Sequence, residues 1–257
     1  MKSTYDALAP VAKKLRLSAL LNHAAELDKS LETATMAHVD WLAILLKSEA
    51  ERRAQKALKR RLQEARLRYV DACVSRIDWS EERHLNRLLI SSLATCDWIR
   101  DHRNCIITGA TGCGKTWLAD ALAHAACLAG FTVRSYCVNQ LISEYKRFTA
   151  ETDSPVREEY LSELKKIDLL LLDDWGINSM DQASRFSLYE IIENQLKHGS
   201  VLIVSVLPVS AWFEAVGEPT LADSILDRVV PTSYRIELEG GSMRSKEMYG
   251  GVPIQKK

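Results

Sequence analysis

The sequence predicts an α/β fold built on a five-stranded parallel sheet, preceded by an all-helical amino-terminal domain. Two observations carry this reading. From Lys14 to about Tyr69 glycine and proline are nearly absent, and apolar residues recur at helical spacing. From Asn104 onward the pattern changes, and short runs that are apolar throughout alternate with longer helical patterns. Such runs, separated by helices, indicate parallel strands covered on both faces.

In the amino-terminal part, Leu46, Ala50, Ala54, Leu58, Leu62, Ala65 and Tyr69 follow one another at steps of three or four residues. That is close to the 3.6-residue period and predicts one long helix with this stripe buried. A second helical stretch is expected from Glu81 to about Ala94, with Leu85, Leu88, Leu89 and Leu93 on one face. The helical domain is therefore expected over residues 1–75 and the α/β domain over 76–257. The expected strands are Cys105–Thr108, Val133–Val138, Leu169–Leu172, Val201–Val206 and Tyr234–Leu238. Between them lie helical patterns at about Lys115–Ala129, Val138–Phe148, Gln182–Lys197 and Leu221–Val229.

Composition narrows the function class. With 257 residues, 47% hydrophobic and 26% charged, the chain is neither a disordered tail, a fibre nor a small disulfide scaffold. Six cysteines form no CxxC pair and no metal spacing with histidine, so they are expected to be core residues. The first residues lack the apolar stretch of a secretory signal. The longest apolar runs, Leu169–Leu172 and Val201–Val209, fall far short of the ~20 residues a membrane helix needs. The expectation is a cytoplasmic protein with no membrane contact.

Net charge is zero, but its distribution is not. Residues 1–100 hold 18 basic and 13 acidic residues, and residues 101–257 hold 16 and 21. Lys47 to Arg68 alone carries nine basic residues against three glutamates. A cationic helix face of this kind neutralises phosphates. A solvated helix face, an acidic protein partner and RNA fit the same pattern.

The strongest motif is Gly109-Ala110-Thr111-Gly112-Cys113-Gly114-Lys115-Thr116, a full GxxxxGK[ST] between an expected strand and an expected helix. Its glycines let successive N–H groups face phosphate oxygens, and the helix that follows aims its positive end at the same anion. Lys115 supplies a charge for the β- and γ-phosphates, and Thr116 a hydroxyl for magnesium. ATP and Mg2+ are the expected cofactors. Leu169-Leu170-Leu171-Leu172-Asp173-Asp174 then places Asp173 at the carboxyl end of a strand as a metal anchor. Strand alternation points Asp174 to the opposite side, where it could polarise an attacking water. Arg228, ending a helical segment, is either a finger reaching a neighbour's γ-phosphate or a helix-end ion pair. Arg244 is a weaker candidate of the same kind.

These segments, with LPVSAWFEAVGEPTLADSILDRVV and GGSMR, resemble the IstB-type transposition helper ATPases of insertion elements. That family belongs to the AAA+ class and is related to the DnaC-type helicase loaders; the likeness runs from about Leu15 to Arg244. The resemblance implies an AAA+ P-loop core and a homo-oligomer that binds and remodels duplex DNA and recruits a cognate transposase. It implies that Lys115 and Thr116 hold phosphate and metal, Asp173 anchors the metal and Asp174 replaces the usual catalytic acid. Arg228 would be the finger and Arg244 a second nucleotide sensor. It also favours DNA contacts at Arg52, Arg53, Lys56, Lys59, Arg60 and Arg61.

Three departures stand out. Val204-Ser205-Val206 replaces the family's Thr-Ser-Asn, so the sensor asparagine is missing or its role falls to Ser205. Ser-Met-Arg replaces Ser-Tyr-Arg at Arg244. About 13 residues follow Arg244, too few for a helical lid, so nucleotide is expected to be held chiefly between subunits. A helicase loader and a nucleotide-gated DNA scaffold with little hydrolysis are the alternative functions.

Overall fold

The computed structural model describes residues 4–29, 36–79, 83–149 and 155–243. The chain forms two compact units, Met1–Arg60 and Arg61–Lys257.

The first unit contains helices α1 (Thr4–Lys14) and α2 (Ser18–Leu27) and most of the long helix α3 (His38–Ala65). Arg16 adopts a left-handed φ of 56°, which closes α1 and turns the chain into α2. From α3 the unit buries Leu45 and, unexpectedly, Glu49. The apolar stripe anticipated from the sequence is not the buried face here. Leu46 is 55% exposed and Ala50 and Ala54 are also exposed, because the buried row is offset by one residue, through Leu45 and Glu49. Glu49 accepts hydrogen bonds from Arg52 (Nε and Nη2, 2.8 Å each) and from Arg53 Nε (2.7 Å). Arg53 also donates to the carbonyl of Arg16 (3.0 Å), tying α3 to the end of α1.

The second unit begins within α3. Arg61 donates to the Cys127 carbonyl (3.1 Å), and Ala65 and Leu67 are buried. Residues 61–75 thus pack with the α/β core, and the division falls at Arg60/Arg61 rather than near residue 75. Helix α4 (Arg87–Ala94) starts later than the pattern suggested, where Asn86 caps it by accepting the Leu89 N–H (3.1 Å). Its buried residues are Ile90 and Leu93, while Leu88 is 83% exposed, contrary to the expected Leu85–Leu88–Leu89–Leu93 face. A short helix α5 (Asp97–Arg100) leads to the first strand.

Five strands follow: β1 (Asn104–Gly109), β2 (Val133–Cys137), β3 (Leu169–Trp175), β4 (Ser200–Ser205) and β5 (Ser233–Leu238). Every pairing is parallel and the order is β2-β3-β4-β1-β5. The strands sit where the apolar runs placed them. Connecting helices are α6 (Lys115–Leu128), α7 (Val138–Thr149), α8 (Pro155–Leu164), α9 (Gln182–Leu196), α10 (Trp212–Val216) and α11 (Pro219–Val229). The runs in β1, β3 and β4 are buried almost throughout, which is why they lack alternation. Trp175 and Trp212 pack with ring centroids 5.1 Å apart, and the Trp212 indole donates to the Leu207 carbonyl.

This order matters for the site. The chain leaves β1 for the far edge at β2, returns through β3 and β4, and ends on the other side of β1. The carboxyl end of β1 is therefore a topological switch point, where open α/β sheets leave a crevice for ligands.

The hydrogen bonds from Arg52, then Arg53, hold the Glu49 carboxyl down to about 2 from 4.5. A depressed carboxyl stabilises the fold above its unfolded value and loses that contribution as pH falls through the folded one. The unfolding-midpoint difference between wild type and Glu49→Gln should be present at pH 6 and shrink between about 4.5 and about 2. A pH-independent difference in thermal unfolding would contradict this assignment.

Candidate nucleotide-binding site

The loop joining β1 to α6 is shaped by its glycines. Gly109, Gly112 and Gly114 have φ of 146°, 87° and 93°, values that disfavour any side chain. A Cβ on Gly109 would also lie 2.2 Å from the Leu238 carbonyl oxygen of β5. Gly114 caps α6, so Lys115 and Thr116 stand on its first turn, at the positive end of the helix. Lys115 is buried, and its ammonium turns back to the Ala110 carbonyl across the loop at 2.8 Å. The Thr116 hydroxyl donates to Asp173 Oδ2 at 3.0 Å, linking the loop to the end of β3.

Asp173 is buried, and its pKa is raised, first by desolvation and then by Asp174. The Asp174 N–H and the Thr116 hydroxyl oppose that rise. The Asp174 N–H donates to Asp173 Oδ1 at 2.9 Å. The two acids do not follow simple alternation. Leu172 pairs with Ile203 and Trp175 with Ser205, so two residues of β3 face one of β4 in a bulge. Asp174 takes a left-handed φ of 61° there. Both acids border the same cleft. The Cys137 thiol donates to Asp174 Oδ2 over 3.7 Å.

That cleft, of about 400 Å³, is lined by Gly112, Lys115, Thr116, Asp173, Asp174 and Val204–Val206. It fits a nucleotide and a divalent cation. A concave loop with a lysine faces the phosphate position, and a hydroxyl and a desolvated carboxylate offer oxygen ligands to a hard cation. Ser205 is not free to sense phosphate: its hydroxyl donates to the Trp175 carbonyl (2.8 Å) and accepts from the Leu207 N–H (3.0 Å).

Other candidates lie elsewhere. Arg228, in the last turn of α11, pairs with Glu193 of α9 (3.2 Å) and donates to the Ser224 carbonyl. It borders a different surface depression and does not line its own chain's cleft. Arg52 and Arg53 are engaged with Glu49, and Arg61 with Cys127, whereas Lys56 and Lys59 are exposed. Arg244 lies outside the described residues. The structure also adds residues that motif reasoning missed. Arg83 is buried against the loop, donating to the carbonyls of Cys113 and Asp78 (3.1 Å each). Arg68 and Tyr69 border the cleft as well.

A glycine loop at a switch point, with a hydroxyl–carboxylate pair beneath it, defines a P-loop nucleotide-binding protein. The strand order gives its core an AAA+ fold. The chain belongs to the family of IstB-like ATP binding proteins, which it matches over residues 10–249. It is 37% identical to a putative insertion sequence ATP-binding protein of Sinorhizobium fredii, over 93% of this chain and 97% of that one. A putative ATP-binding protein in an insertion sequence of Mycobacterium tuberculosis is 28% identical, over 95% of this chain and 96% of that one. The fold resembles the crystal structure of DnaI, with a TM-score of 0.51 and 22% identity over 65% of this chain and 91% of that one. It also resembles AMPPCP-bound DnaA from Aquifex aeolicus, with a TM-score of 0.54 and 17% identity over 73% and 57%. Among the described residues no helix is long and apolar enough to cross a membrane.

Lys115 makes one bond to its own loop, so Lys115→Ala should fold and lose ATP. Ligand at a hundred times its dissociation constant stabilises a protein by about 2.7 kcal/mol. Wild type should therefore melt at a higher temperature with saturating ATP, and Lys115→Ala should not. Equal shifts would remove Lys115 from the binding site.

Proposed function

We propose that this protein is an ATP-dependent regulator of transposition that assembles from several subunits on duplex DNA and presents that DNA to a transposase. The observation that carries the reading is the Thr116–Asp173 pair beneath the Gly109–Thr116 loop, in a chain whose relatives are named for insertion sequences. In this reading the loop amides and Lys115 bind the β- and γ-phosphates. Thr116 and Asp173 would hold Mg2+, which supplies charge neutralisation at the phosphate oxygens. Asp174 accepts the proton of the attacking water, giving ADP, phosphate and a released proton.

The place of Arg228 supports action between subunits. Lying outside its own chain's cleft, it would act on a neighbour's nucleotide after leaving Glu193. A nucleotide clamped by two chains makes assembly depend on ATP. For DNA, the exposed cations of α3 beyond the Glu49 cluster are the candidates, namely Lys56, Lys59 and Arg60. Charge reversal at these three should abolish duplex binding and flatten its salt dependence, as read by fluorescence anisotropy across a salt series. Reversal of Arg52 and Arg53 should instead destabilise the helical unit. Unchanged affinity in the triple variant would leave α3 as a solvated face.

A second reading, a nucleotide-gated scaffold with little hydrolysis, is favoured by Val206 and by the engaged hydroxyl of Ser205. Steady-state phosphate release separates the two. Asp174→Asn should bind ATP like wild type yet lose hydrolysis by about 100-fold or more, as expected for a lost general base. A measurable wild-type rate that survives the substitution would remove Asp174 from the mechanism.

A further inference from the structure

Helix α6 is apolar along most of its length, yet it carries a fully buried acid, Asp120. One turn after Thr116, Asp120 shares the helix face that meets the end of β3. Its Oδ2 accepts the backbone N–H of Tyr69 at 2.8 Å. Its Oδ1 is buried with no hydrogen-bond partner among the described residues. Burial, as the leading cause, pushes its pKa up to about 6; the nearby Asp173 adds to the rise, and the amides of Tyr69 and Arg68 oppose it. A buried carboxylate with one idle oxygen is costly, and an apolar residue at this place would avoid that cost. What it would give up is the grip on the chain at Arg68 and Tyr69.

These two residues follow the abrupt end of α3. Arg66 turns left-handed at φ 53° and Leu67 is buried, after which the backbone passes over Asp120. Arg68 and Tyr69 then border the cleft that holds Lys115, Thr116 and Asp173. The Arg68 guanidinium lies 5.9 Å from the centroid of the Tyr69 ring.

We infer that Asp120 is a positioning residue of the nucleotide site: it seats the Arg68–Tyr69 segment so that Arg68 serves as a second cation, besides Lys115, for the bound nucleotide. This inference rests on the cleft being the ATP site. It also gives the last turn of α3 a direct mechanical link to that site, since the seated segment is continuous with it. Asp120 touches no nucleotide atom in this arrangement and acts through the backbone it holds.

The experiment is a set of dissociation constants for a fluorescent ATP analogue with magnesium, measured on the full chain. Losing a hydrogen bond to a charged group costs about tenfold in affinity or more, so Arg68→Ala should weaken binding by about that factor. Asp120→Ala should weaken it similarly, and the double variant should be no weaker than either single one, because both remove the same contact. Asp120→Asn keeps an oxygen for the Tyr69 N–H and should restore affinity to within a few-fold of wild type. A purely structural Asp120 would instead lower the melting temperature of Asp120→Ala and leave affinity unchanged, which overturns the inference. Additive losses in the double variant overturn it as well. If Asp120→Ala does not fold, Arg68→Ala decides alone, and wild-type affinity there is the contrary result. Failure of wild type itself to bind the analogue would sink the ATP-site reading rather than the role of Asp120.

Discussion

The hydrogen bond from Thr116 to Asp173 is the contact on which the rest of the site depends. It joins two pieces of chain that have no reason to meet except the strand order. Thr116 begins the helix after β1, and Asp173 ends β3, with β4 lying between those strands. A sheet that winds outward to β2 and returns to β1 brings both to one crevice. The glycines of the loop complete the arrangement, because a Cβ at Gly109 would collide with β5 and push the loop off the sheet.

Around this contact the chain concentrates features that a stability-driven design would avoid. Asp173 is desolvated beside a second acid, Asp174 is held in a left-handed bulge, and Asp120 keeps one buried oxygen without a partner. Each costs free energy in the isolated protein. A bound cation would offset the first directly, which is the pattern expected where structure is spent on ligand binding. Arg228 shows the opposite logic, since its pairing with Glu193 keeps it occupied outside its own cleft.

How much of this the sequence reveals depends on whether the signal is local. The five strands are legible because runs such as Leu169–Leu172 are short and wholly apolar, which fits strands buried on both faces. The P-loop is legible because its spacing is itself the mechanism. The buried face of the first half of α3 is not, because alanines at 50, 54 and 57 allow several stripes, and the choice falls to Leu45 and a paired Glu49, whereas Ala65 is buried as the stripe expects. Strand alternation does not foresee the left-handed turn at Asp174, because the bulge arises from pairing with β4, a partner about 30 residues away in the chain. The basic run of α3 overstates its available charge for a similar reason: Arg52, Arg53 and Arg61 are taken up by Glu49 and Cys127. Asp120 did leave a trace, as a lone acid in the apolar stretch from Trp117 to Leu128, but its partner at Tyr69 comes only with the fold.

The central claim is that one nucleotide site is completed by two subunits, the cleft from one and Arg228 from the next. Mixing tests it most directly. Asp174→Asn and Arg228→Ala subunits, each deficient in hydrolysis alone, would be combined on duplex DNA and assayed for phosphate release. Mixed assemblies contain sites that join an intact Asp174 to an intact Arg228, so activity should reappear on mixing. A mixture as inactive as its components, although shown by sedimentation to co-assemble, would contradict the shared site.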